Sequence, residues 1–169
     1  MIYFTRKKKI PPNITLTLFG TIIDLCNEAT LLGCTLDKEK SLKNHVDKLI
    51  VKTKQRMSLI RRLKGTSWGA SSQCILNIYK SFIRPILEYG SMLTADCCES
   101  RLKQLQTEQN KAIRFALGTP KHINTETIHQ TAGIEPIKTR LISLKEKALK
   151  RYEGSELMRD LETELALLL

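Results

Sequence analysis

Aromatic side chains make up only 5% of the 169 residues, with a single tryptophan, so a core built by this chain must be mainly aliphatic. No apolar run approaches the ~20 residues of a membrane-spanning helix, and the opening MIYFTRKKK lacks the apolar stretch and cleavage site of a secretory signal. A cytoplasmic or nuclear setting without membrane contact is expected. Cysteine is sparse and unpatterned: Cys26, Cys34, Cys74, Cys97 and Cys98 are odd in number and contain no C-x-x-C pair. That argues against a disulfide framework or a zinc module, and predicts reduced, mostly buried thiols.

Catalytic signatures are missing as well. Paired-metal chemistry on nucleotides needs carboxylates close enough to share two Mg²⁺ ions, usually adjacent Asp residues on a tight strand turn, and no Asp-Asp pair occurs. Asp24, Asp37, Asp47, Asp96 and Asp160 are scattered, which suits turns, caps and solvated faces; Asp37 ends a strand and starts a turn. His45, His122 and His129 have no Cys or carboxylate partner at ligand spacing, so packing or hydrogen-bonding roles are expected. No G-x-S-x-G, Walker loop or H-E-x-x-H is present. The residues alone predict neither a metal nor a cofactor for this chain.

What is abundant is positive charge. The net charge is +11, from 28 Lys and Arg against 17 Asp and Glu. Residues 1–64 hold 14 basic and 5 acidic side chains, whereas residues 153–169 hold 1 and 5. Such an imbalance favours a polyanionic partner. Two concentrations stand out: Arg6-Lys7-Lys8-Lys9, and the eight Lys or Arg of residues 42–64 opposed by Asp47 alone. A solvated helix face accounts for the charge equally well, so charge by itself does not separate that reading from nucleic-acid binding.

The patterning predicts an α+β chain. Residues 14–18 alternate as a strand, Gly20 turns, residues 21–23 return, and residues 29–37 continue, giving a small antiparallel sheet of two or three strands. From residue 42 the period becomes helical, with Leu42, Val46, Leu49, Ile50, Thr53, Met57 and Ile60 inward and Lys48, Lys52, Lys54, Arg61 and Arg62 outside that stripe; Gly65 ends it. Ile75, Ile78, Tyr79, Phe82, Ile83 and Ile86 form the next helix, in which Pro85 predicts a kink or break near residues 81–84. Further helices are expected over residues 100–117, stopped by Gly118 and Pro120, and over residues 125–132, capped by Thr125 and closed by Gly133. Another opens with Pro136 at its first position, and an acidic one follows Gly154-Ser155. Trp68 is expected to be at least partly buried.

Several landmarks in order carry a resemblance. Tyr3-Phe4-Thr5-Arg6-Lys7, then Leu18-Phe19-Gly20-Thr21-Ile22-Ile23, then Leu31-Leu32-Gly33-Cys34-Thr35-Leu36-Asp37 with His45 eight residues on, resemble the segment after the catalytic palm in jockey-like non-LTR retrotransposon reverse transcriptases. Leu63-Lys64-Gly65-Thr66-Ser67-Trp68-Gly69 and residues 102–114 extend it. The most specific stretch is Ile83-Arg84-Pro85-Ile86-Leu87-Glu88-Tyr89-Gly90, and the likeness covers residues 1–137. Lys40 departs from it, standing where the family usually has an apolar residue, and residues 153–169 match nothing in it.

The resemblance implies a primer grip formed by a Leu-Gly hairpin at Leu32, Gly33 and Cys34, and a thumb whose first helix, residues 42–64, lays Lys48, Lys52, Lys54, Arg61 and Arg62 along the backbone of an RNA or DNA duplex. Glycine suits close backbone approach because it has no Cβ. The implied organisation is a grip-like β region over residues 1–41, a thumb-like helical region over 42–152 and an acidic helix over 153–169. The parent enzyme would use Mg²⁺, but its Asp-Asp motif and fingers would precede residue 1. A fragment or a truncated copy of an RNA-directed DNA polymerase, inactive alone and binding nucleic acid without sequence preference, is the expectation. Two alternatives stay open: a helical self-association protein using exposed apolar surface, and a subunit completed in trans by the missing polymerase portion.

Overall fold

A computed structural model describes residues 2–5, 16–63, 69–153 and 155. The Arg6 to Lys9 run, the start of the first expected strand, Lys64, Gly65, Trp68 and nearly all of the expected acidic helix lie outside the described residues.

Two β-hairpins precede a layer of helices. β1 (Leu16–Leu18) pairs antiparallel with β2 (Thr21–Ile23), and β3 (Glu28–Leu31) with β4 (Cys34–Asp37). They are separate two-stranded sheets, and residues 29–37, a strand-like run by local pattern, fold back at Leu32-Gly33 as the Leu-Gly hairpin of the resemblance implies. Each hairpin closes on a two-residue turn with positive φ at both positions: Phe19 at 50° and Gly20 at 79°, Leu32 at 47° and Gly33 at 79°. That sign pattern belongs to the type I′ turn, whose twist matches the right-handed twist of its strands.

The helices are α1 (Lys43–Arg61), α2 (Ser72–Ile78), α3 (Arg84–Leu87), α4 (Ser91–Thr94), α5 (Glu99–Leu117), α6 (Thr125–Ala132) and α7 (Ile137–Tyr152). The expected inner face of α1 is the buried one, with Val46, Leu49, Thr53 and Ile60 at 2% exposure or less. It packs against α5, whose Leu105, Ile113 and Ala116 are fully covered, and against β4. The break foreseen at Pro85 takes the form of a π-helical turn, Tyr79–Ile83, joining α2 to α3. Proline has no N–H to donate, so it sits in the first turn of α3, where that donor would be unpaired anyway. The turn keeps Tyr79 and Ile83 in the core.

Three local expectations are corrected. The cap of α6 is Asn124, whose side chain accepts from the Glu126 N–H, rather than Thr125. Pro136 is the N-cap of α7 with ψ 144°, one position before the first helical residue. The first N–H of α7, on Ile137, donates instead to the side-chain oxygens of Gln106 and Gln109 on α5, and buried Gln109 also donates to the Glu135 carbonyl. The thiols are free but not mostly buried: Cys97 is covered, Cys34 half-buried, and Cys26, Cys74 and Cys98 exposed. Cys74 faces outward from α2 beside the Ile75–Leu76 core pair, and Cys98 ends a loop as the N-cap of α5.

Candidate nucleic-acid interface

The β3–β4 hairpin is held against the helices by named polar contacts. Tyr89, just beyond α3, donates its hydroxyl to the Leu32 carbonyl at 2.6 Å. On the free edge of β4, the Thr35 N–H donates to Nδ1 of His45 at 3.4 Å, which leaves the ring proton on Nε2, 3.5 Å from the Tyr89 carbonyl. Lys48 donates to the Thr35 hydroxyl at 2.7 Å. Burial, with Lys48 and Lys52 nearby, holds the His45 pKa below the ordinary histidine value despite the Tyr89 contact. His45 is thus the hydrogen-bonding histidine the sequence suggested, and so is His129, whose Nδ1 meets the Ile134 carbonyl at 2.7 Å; His122 is exposed.

Asp37 ends β4 and starts the turn, as its position implied. Its carboxylate accepts from the N–H groups of Ser41 and Leu42 at 2.9 and 2.8 Å, across a link in which Lys40 and Leu42 both hold positive φ. Burial alone would raise this carboxyl's pKa, but those N–H donors outweigh it and leave the pKa below the usual value. Lys40, the residue out of place in the resemblance, sits over the Phe4 ring at 5.0 Å.

Leu32 and Gly33 form the hairpin tip and Cys34 starts the return strand, so these three residues are together. Leu32 is 87% exposed, while a Cβ added at Gly33 would meet the Tyr89 hydroxyl at 2.8 Å. The glycine is required by both its φ and its neighbour.

The five cations named on α1 are all exposed, but they do not form one face. With about 100° of rotation per residue, Lys48, Lys52 and Arg62 fall on the side toward β4, while Lys54 lies roughly 200° round from Lys52, near Arg61. Arg56, four residues after Lys52, belongs to the first row and was missing from the set; its i,i+4 spacing is the signal that finds it. Its guanidinium lies 4.2 Å from the Phe82 ring centroid.

Among the described residues the ion pairs join Arg84 and Arg140 to Glu88, Arg140 to Glu135, Lys111 to Glu108, Lys138 to Glu99 and Lys145 to Asp96. None involves a cation of α1. Among the described residues no group of three His, Cys, Asp or Glu side chains is placed to hold a metal ion, and no helix is long and apolar enough to cross a membrane. A cleft of about 690 Å³ between α5, α6 and the start of α7 shares no lining residue with the basic rows.

In sequence, this α+β chain is similar to the RNA-directed DNA polymerases of non-LTR mobile elements. In Drosophila melanogaster, the probable RNA-directed DNA polymerase from transposon BS is 25% identical over 138 residues, covering 82% of this chain and 15% of that protein. The corresponding protein from transposon X-element is 26% identical over 129 residues, covering 76% and 14%. The RNA-directed DNA polymerase from mobile element jockey is 23% identical over 150 residues, covering 89% and 16%. The chain therefore spans about 15% of the length of these relatives. No protein-family model and no solved structure matches it.

Proposed function

We propose that this chain is the primer-grip and thumb portion of a mobile-element reverse transcriptase, holding a nucleic-acid duplex by its backbone while supplying no metal-binding carboxylates. The observation that carries the reading is that, among the described residues, no ion pair involves an α1 cation, while Glu88, Asp96, Glu99, Glu108 and Glu135 all pair with cations outside α1. Cations left without acidic partners at this density suit phosphate neutralisation, which positions a duplex without reading its sequence. The Leu32-Gly33 tip is the grip in this reading, since its exposed backbone turn lies at the same end of α1 as Lys48. Binding isotherms on unrelated duplex sequences at several salt concentrations test it. Equal affinities that fall steeply with salt are expected, and a flat salt response would overturn the reading.

One observation favours a second reading, self-association. The β1–β2 hairpin exposes Leu16, Leu18, Phe19 and Ile22, with Phe19 at 98%, and apolar surface of this kind is a contact site when covered. Sedimentation at high salt separates the two, because apolar oligomers persist there while phosphate contacts do not.

A further inference from the structure

Between α1 and the π-helical turn lies a cleft of about 270 Å³ whose lining has an unusual composition. Leu49 and Pro85 form an apolar base, Phe82 and Tyr89 present aromatic surface, and Lys52 and Arg56 add two cations from one row of α1. Phe82 is 38% exposed and Tyr89 47%, so both of these rings in an aromatic-poor chain keep part of their surface open here, although the Arg56 guanidinium covers part of the Phe82 ring at 4.2 Å. Phe82 belongs to the π turn imposed ahead of Pro85, in which Tyr79 and Ile83 stay in the core. Single π turns of this kind recur at functional sites.

Aromatic surface beside cations fits a planar π system that carries negative charge. A nucleotide has both parts: a base to stack and a phosphate to neutralise. A paired base inside a duplex is already stacked on its neighbours and has no free face. The cleft is also slightly smaller than the roughly 300–1,000 Å³ typical of drug-sized ligand sites, which limits it to one nucleotide unit.

We infer that this cleft takes one unpaired nucleotide of a strand that extends beyond the bound duplex, its base against Phe82 and Tyr89 and its phosphate at Lys52 and Arg56. The inference rests on the proposed duplex binding and adds to it a preference for single-strand overhangs. Because the hydroxyl of Tyr89 is bonded to Leu32, the unpaired nucleotide lies beside the hairpin tip, where duplex gives way to single strand. The two hydroxyls lining the cleft already donate, Ser81 to the Asn77 carbonyl and Tyr89 to the Leu32 carbonyl, so neither proton is left for a base edge and the preference is independent of base identity.

The test measures the affinity of the full chain, by fluorescence anisotropy at low salt, for a blunt duplex and for the same duplex with a short thymidine overhang, with DNA and RNA overhangs as separate arms. The wild type is expected to prefer an overhang by about fivefold or more, the lower bound for one base stacked on an aromatic ring. Phe82→Leu, which keeps apolar bulk but removes the ring, is expected to bring that ratio near one, and Phe82→Trp to preserve it. Matching circular dichroism and urea midpoints confirm that the variants fold. A wild-type ratio of one, or a ratio that survives Phe82→Leu, overturns the cleft assignment while leaving duplex binding intact. Failure to bind either duplex at low salt removes the duplex reading and this inference with it.

Discussion

The hydroxyl of Tyr89 reaches across 57 positions of sequence to lie 2.6 Å from the carbonyl oxygen of Leu32, fastening the tip of a two-residue hairpin to the helical layer. A hairpin alone is marginal in water, and this one borrows stability from Tyr89, His45 and Lys48. The exposed turn is thereby presented in a fixed place.

Gly20 and Gly33 share φ 79° but not surroundings, which gives a controlled comparison. A Cβ at Gly20 meets nothing within 4 Å, whereas at Gly33 it meets the Tyr89 hydroxyl at 2.8 Å. Gly20→Ala should cost the strain of a left-handed alanine, about 1 kcal/mol, and Gly33→Ala at least roughly 1 kcal/mol more from overpacking. Tyr89→Phe removes the colliding oxygen, so the double variant Gly33→Ala/Tyr89→Phe should be more stable than the sum of the single losses predicts. Urea denaturation of all four variants checks the cycle.

His45 makes stability depend on pH in one direction. Its native pKa lies below the ordinary 6.5, so as pH falls through that value the unfolded chain takes up the proton first and is favoured. The contribution of His45 is full above pH 6.5 and is lost as pH falls toward the lower native pKa. His45→Gln, which keeps a hydrogen-bonding group without a titratable ring, should flatten the pH dependence of the urea midpoint across this window. An unchanged slope would show that the ring is not held neutral by burial.

Thr53 lies on the buried side of α1 at 0% exposure, and its hydroxyl has no hydrogen-bond partner. Replacing a buried, unpartnered hydroxyl by a methyl of the same shape removes a desolvation cost, so Thr53→Val should raise stability by about 1 kcal/mol in urea denaturation. A loss of similar size would mean that the hydroxyl is satisfied in solution.

The regular parts of the fold were legible because they follow local rules. The apolar 3.6-residue period located α1 and α5, and Gly118 adopts the left-handed cap that stops α5. Pro85 announced an interruption but not its form, since a missing N–H can be met by a kink, a break or a π turn. The Leu32-Gly33 turn was legible through the resemblance but not through local pattern, because leucine resists positive φ and residues 29–37 alone read as a strand-like run. The contacts that hold that turn come from residues 10 to 57 positions away and leave no mark on local pattern. Counting eight cations over residues 42–64 gave their number but not their division into two rows.

The purified chain should incorporate no nucleotide on any primer–template with Mg²⁺ or Mn²⁺, because its 169 residues contain no adjacent Asp pair to hold two metal ions. Template-dependent extension that persists after contaminating polymerases are removed would refute this.

The division of the α1 cations predicts which of them matter for a duplex. Lys48, Lys52 and Arg62 lie on the side of the helix that faces β4 and the hairpin tip, and Lys54 and Arg61 lie round the opposite side. One straight duplex cannot lie against both rows at once, because neutralising a phosphate requires close approach and the helix body separates the rows. Each phosphate contact adds about 0.9 to the slope of log affinity against log salt on B-form DNA. Lys48→Ala/Lys52→Ala/Arg62→Ala should therefore lower that slope by up to about three units and weaken every sequence alike. Lys54→Ala/Arg61→Ala should change it by well under the roughly two units its charge count alone implies. Salt titrations on both variants decide the matter. Slopes that fall in proportion to charge removed, whichever row is altered, would mean that the helix attracts the duplex by net charge and has no binding face.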